Sequence, residues 1–106
     1  MDERNASLAE EIASKPDIEA IAREVLWHFG DTNLGWQPGS FMSTLLIAIG
    51  RADSGNRFRL HEGFPVQVEL FTAVANEVWG LDWLRDAVMR VDRSRTVGVD
   101  QLEVTL

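Results

Sequence analysis

Between Gly35 and Gly50 the chain reads Gly-Trp-Gln-Pro-Gly-Ser-Phe-Met-Ser-Thr-Leu-Leu-Ile-Ala-Ile-Gly, and the rest of the sequence has to accommodate this stretch. It opens with turn residues, sets Pro38 where a first helical position tolerates it, and becomes the most apolar segment present. Phe41, Met42, Leu45, Leu46 and Ile49 recur at i, i+4 and i+8 in two adjacent rows, which is a helical period. Ile47 and Ala48 widen the stripe until only Ser40, Ser43, Thr44 and Gly50 lie outside it. A helix apolar over most of its circumference is a buried one. The expectation is therefore a central helix over residues 39–50 with others packed around it. The run is too short to cross a bilayer, which takes about 20 apolar residues.

The flanking segments supply those neighbours. Residues 2–14 carry only Leu8 and Ile12 as large hydrophobes, so this helix either docks or frays, and residues 1–15 are set apart as its marginal end. A new helix starts around Ser14-Lys15-Pro16-Asp17, with Ser14 as its cap. Ile18, Ile21, Ala22, Val25, Leu26 and Phe29 then form a regular stripe that Gly30 ends. Asp53 reads as the cap of a short helix over 54–62, stopped by Gly63. Phe64-Pro65 restarts the chain into a helix with Val68, Phe71, Ala75 and Val78 on one side, running to about Trp79. After Gly80, with Asp82 as cap, Leu81, Leu84, Val88 and Val91 give a further stripe. Alternating Val97 and Val99, followed by Leu102, Val104 and Leu106, predict an extended tail over 92–106. The fold class is all-α: one domain over 1–106, a compact bundle of about five helices with that tail.

The function classes narrow by what the composition lacks. With no cysteine there is neither a disulfide framework nor a thiolate metal site. Glu24 and His28 stand at i, i+4 on one helix, yet no third ligand accompanies them, and His61 has the setting of a helix-end side chain. No glycine-rich phosphate loop or nucleophile elbow occurs, so the chain reads as non-enzymatic, with no metal and no cofactor. A net charge of −7 argues against nucleic acid as the main partner. The amino terminus is charged and lacks an apolar h-region, so a secretory leader is not expected.

Five side chains stand out as candidate protein-binding residues: Trp27, Trp83, Arg51, Arg57 and Arg59. At 100° per residue Trp27 falls about opposite Ile18, away from the apolar stripe of its own helix. It needs cover from within the monomer or from a partner, and tryptophan is enriched among interface hot spots. Trp83 flanks the stripe of the last helix. Residues 1–24 hold seven acids against three bases, a local balance of −4, whereas Arg51, Arg57 and Arg59 cluster within nine positions and Arg85, Arg90, Arg93 and Arg95 form a second basic run. Such asymmetry reads either as solvated helix faces or as complementarity to a partner.

Taken together, Trp36-Gln37-Pro38-Gly39-Ser40-Phe41, Leu45-Leu46, Ala48-Ile49, Ala52-Asp53, Asn56-Arg57, Arg59-Leu60 and Gly63-Phe64-Pro65 resemble a group of small acidic proteins encoded by bacteriophages of actinobacteria. The resemblance spans roughly residues 34–72 and carries no catalytic signature. It implies a phage origin and a place in the cytoplasm of an infected bacterium. The leading expectation is a small protein that binds a host or phage protein during infection. The alternatives are a self-assembling accessory component, in which the carboxy-terminal tail docks on a neighbour, and an acidic mimic of DNA. A homodimer is compatible with the two leading readings, because two helices carry apolar residues on more than one side.

Overall fold

The computed structural model describes the backbone of residues 3–105 and the side chains of residues 3–95. Six helices account for nearly all of it: α1 (Glu3–Ser14), α2 (Pro16–His28), α3 (Ser40–Arg51), α4 (Ser54–Gly63), α5 (Pro65–Asn76) and α6 (Gly80–Thr105). Among the described residues there is no strand. The all-α bundle thus stands as expected. Six helices are present where about five were expected, and of the two outcomes open to α1 it docks. Its two large hydrophobes, Leu8 and Ile12, are fully buried, and α1 packs on α2 and α6.

The centre of the bundle differs from the sequence expectation. The helix that meets most of the others is α2, which packs against α1, α3, α5 and α6, and its counterpart is α5. Ala22, Val25 and Leu26 of α2 lie against Leu70 and Phe71 of α5 and Leu84 and Val88 of α6 in one continuous core. Burying each of the leucines fully is worth about 1.5–3 kcal/mol. By contrast α3 buries only Leu45, Leu46 and Ile49. Phe41 remains 65% exposed and Ile47 44% exposed, so half of its apolar circumference is uncovered. A helix apolar on nearly every side has been placed at the periphery of a chain too small to surround it.

Local sequence signals explain most of the boundaries. Asp53 caps α4 by accepting a 2.8 Å hydrogen bond from the Asn56 backbone N–H. Pro16 and Pro65 stand in the first turns of α2 and α5. Ser14 does not cap α2. Its hydroxyl donates to the Glu10 carbonyl within α1 at 2.8 Å, and Lys15 takes the cap position without a side-chain bond. Pro38 lies two residues ahead of α3, whose N-cap is Gly39. α5 stops at Asn76, short of Trp79, and α6 starts at Gly80, so Asp82 sits inside its first turn and does not cap it.

The extended tail expected over 92–106 is also corrected: α6 continues as helix through Thr105. An isolated strand leaves its backbone donors and acceptors unpaired, and no second strand exists among the described residues to receive them. A helix satisfies the same groups internally. Leu106 lies outside the described residues.

A charged network inside the bundle ties α2 to α6 and to the connection before α3. Arg23 and Glu19, with side chains 5% and 4% exposed, are paired at 2.8 Å. Arg23 also donates to Asp92 at 2.7 Å and to the Leu34 carbonyl at 2.9 Å, while its guanidinium lies 4.8 Å from the centre of the Trp36 ring. Arg95 closes the circuit on Glu19 at 2.7 and 3.1 Å. Two cations and two carboxylates thus balance within the network.

The network has a consequence for pH dependence. Burial by itself pushes the Glu19 carboxyl up, but hydrogen bonds from Arg95 and Arg23 outweigh it and hold the group below the usual carboxylate range. Glu69 behaves alike: burial raises it, and Arg4 and His61 pull it lower. A carboxyl depressed in the folded state stabilises the fold above its unfolded pKa and loses that contribution as pH falls through its folded value. Half-buried Glu24 acts in the opposite sense, since burial alone raises it. Its ionised form weakens the fold near neutrality. Urea denaturation is therefore expected to show falling stability between about pH 5 and pH 3, and Glu24→Gln to raise stability at about pH 7 by a few tenths of a kcal/mol. A Glu24→Gln variant less stable than the parent at neutral pH would contradict this account.

Candidate functional site

Seven of the ten lysines and arginines have a carboxylate within salt-bridge distance. Arg4 pairs with Glu69 and Glu11, Lys15 with Glu11, and Arg23 with Glu19 and Asp92. Arg85 pairs with Asp31, Arg90 and Arg93 with Asp86, and Arg95 with Glu19 and Asp92. The exceptions are Arg51, Arg57 and Arg59, which have no carboxylate partner among the described residues. They stand together on the last turn of α3 and on α4. In a chain of net charge −7 these are three positive charges without a carboxylate beside them.

The three arginines do not share one surface. Arg51 and Arg59 line a cleft of about 470 Å³ between the end of α3 and α4, with Ala48, Ala52, Asn56 and Leu60 around them. Arg51 is exposed, and the negative end of α3 steadies its charge. Arg59 donates to the Asn56 side-chain carbonyl at 3.1 Å, which aims it along α4. Arg57 turns to the other side of α4 and lines a larger cleft of about 730 Å³ bounded by α1, α4 and α5. There its Nη2 donates to the Ile49 carbonyl at 3.3 Å. The α3–α4 turn at Ala52 is the ridge between the two clefts.

The two candidate tryptophans lie elsewhere. Trp83 is half-buried against the core. It meets Trp79 edge to face, with ring centres 6.1 Å apart and planes at 89°. Trp27 is half-buried as well, and lines neither cleft. The returning chain passes directly over its backbone: a Cβ on Gly35 would come within 2.5 Å of the Trp27 nitrogen. The side chains that sequence reasoning missed are Phe58, 67% exposed, and Trp79, both in the wall of the larger cleft. Phe58 had a readable signal. No apolar residue stands three or four positions from it within α4, so it has no stripe to join.

His28 is not placed as a metal ligand. Its ring lies 5.2 Å from that of Phe29 and 5.5 Å from that of Phe71. Among the described residues no group of three or more His, Asp or Glu side chains stands close enough to hold a metal ion. His61 hydrogen-bonds Glu69 at 3.0 Å. No helix is long and apolar enough to cross a membrane among the described residues.

Set against known proteins, the chain matches no family model, no curated protein and no solved structure.

Proposed function

We propose that this chain is a non-enzymatic binding protein that engages an acidic partner protein through the outer face of α3 and the adjoining side of α4. The observation that carries the reading is the uncompensated set of arginines. Every other described lysine or arginine lies within salt-bridge distance of a carboxylate, yet Arg51 and Arg59 are left facing a cleft beside exposed Ile47 and Ala48. Apolar side chains flanked by unpaired guanidiniums suit a partner surface with an apolar ridge and acidic edges, since arginine is favoured at such contacts. A phosphate backbone would gain nothing from Ile47 and would meet the repulsion of a −7 chain. On the resemblance to actinobacterial phage proteins, the partner proposed is a host or phage protein.

The second reading is self-assembly, favoured by the exposure of Phe41 and Ile47 on the same helix. One experiment separates the two. The chain is used as bait in lysate from infected actinobacterial cells, beside an Arg51→Glu/Arg59→Glu variant. A stoichiometric acidic protein is expected, held at least about 10-fold more weakly by the variant, a difference of about 1.4 kcal/mol, and weakened further by salt. Equal capture by both baits would remove the arginine face from the account. Recovery of the bait alone, with a dimer by sedimentation, would leave self-assembly.

A further inference from the structure

From the larger cleft we infer a second binding site, for a small amphipathic monocarboxylate, with its carboxylate on Arg57 and its apolar body between Phe58 and Trp79. Four buried side-chain polar atoms lack a hydrogen-bond partner among the described residues. Two of them still have a cation close by: Asp31 Oδ2 lies 3.0 Å from Arg85 Nε, and Glu11 Oε2 lies 3.8 Å from Arg4 Nη1. The other two, Arg57 Nε and Thr72 Oγ1, have neither, and both belong to residues lining this one cleft. Arg57 is held only by its Nη2, so its Nη1 is neither bonded nor buried and remains open to an acceptor. Only the Nε of this half-buried guanidinium is removed from water, and it lacks an acceptor; with Nη1 also unbonded, Arg57 is a cation in the cleft wall that no carboxylate has claimed, and such a group suits an oxyanion.

The rest of the lining selects the body of the ligand. Leu8 and Val68 make an apolar floor, both buried. Phe58 and Trp79 stand in the wall, the two aromatic rings this cleft possesses besides the His61 imidazole. The cleft's volume of about 730 Å³ falls in the range typical of small-molecule sites. Its charges limit the ligand to a single negative one. The Arg4 guanidinium and the His61 ring are committed to Glu69, and Glu77 adds an exposed carboxylate at the rim. With Arg57 as the one uncommitted cation, a phosphate or a dicarboxylate would face Glu77 with charge left over. A monocarboxylate on an aliphatic or aromatic body would not.

The test is calorimetric titration of the intact chain with octanoate, beside neutral octanamide. Octanoate is expected to bind one to one and at least 10-fold more tightly than octanamide, with a change in tryptophan emission from Trp79. Arg57→Met should reduce octanoate to the octanamide level. Phe58→Glu, at an exposed position that does not support the core, should weaken it as strongly by setting a carboxylate against the ligand. That second variant decides the question if the first fails to fold. No octanoate binding at millimolar concentration, equal binding of octanamide, or an unchanged affinity in Phe58→Glu would each overturn the proposal. The site is independent of the partner face: the Arg51→Glu/Arg59→Glu variant should bind octanoate as the parent does.

Discussion

Replacement of Arg23 by alanine is expected to destabilise the protein by about 3–5 kcal/mol, measured by urea denaturation at neutral pH. The arginine contributes little as an isolated attraction, because desolvating a buried ion pair offsets much of its Coulomb energy. The damage comes from what its removal leaves behind. Glu19 stays buried, held only by the exposed Arg95, and the Leu34 carbonyl and Asp92 each lose a donor. Trp36, already half in solvent, loses the guanidinium above its ring. Since a domain of this size is stable by only about 5–15 kcal/mol, one such change removes a large part of the margin. The double variant Arg23→Met/Glu19→Met separates the two explanations. If the loss arises from an orphaned charge, the double variant should be more stable than Arg23→Ala, because neither buried charge remains. A double variant at least as unstable as the single would mean that packing of the arginine stem, or the Leu34 contact, matters more than the charge.

This network also marks where the sequence ceases to be legible. Within α2 the positions of Ile18, Ala22, Val25 and Leu26 announce a buried stripe, and the structure buries Ala22, Val25 and Leu26 completely. Nothing in the sequence marks Glu19 and Arg23, which flank that stripe, for burial, because charged side chains are rarely buried without partners. They pair with each other at i, i+4, but the further partners that close the network lie 69 to 76 residues away on α6, and no local pattern reveals a pairing at that separation. The Asp53 cap and the Phe64-Pro65 restart were legible because their causes are local. The position of α3 was not. Its periodicity specifies how many apolar residues it carries, but the amount of surface available to cover them is a property of the whole chain. Of the candidate site, the grouping of three arginines was legible. Their lack of carboxylates was not, nor was the ridge at Ala52 that divides them, since both depend on how α3 and α4 meet.

The connection between α5 and α6 supports the second large prediction, Gly80→Ala. A Cβ on Gly80 would lie 1.9 Å from the Ala73 carbonyl oxygen, 2.5 Å from the Ala73 carbonyl carbon and 2.9 Å from the Val74 Cα. All three are backbone atoms of α5, so no side chain can swing aside, and the start of α6 must move away from α5. Gly80 is buried, and its N–H donates to the Glu77 carbonyl at 3.0 Å, which anchors the tight turn on the same spot. The cost is expected to be about 3 kcal/mol, the upper end for overpacking where the neighbours cannot relax. Gly63→Ala is the matched control. Nothing lies within 4 Å of a Cβ there, and the substitution restricts the unfolded chain, so a gain of about 0.4–1 kcal/mol is expected. The displacement also has a functional readout. Trp79 immediately precedes Gly80 and meets Trp83 edge to face, so moving the start of α6 moves one wall of the larger cleft. Gly80→Ala should therefore lower octanoate affinity at temperatures where the variant is still folded, while Gly63→Ala leaves it unchanged. Equal stability of the two variants would mean that α5 and α6 do not approach as closely at this turn as the structure places them.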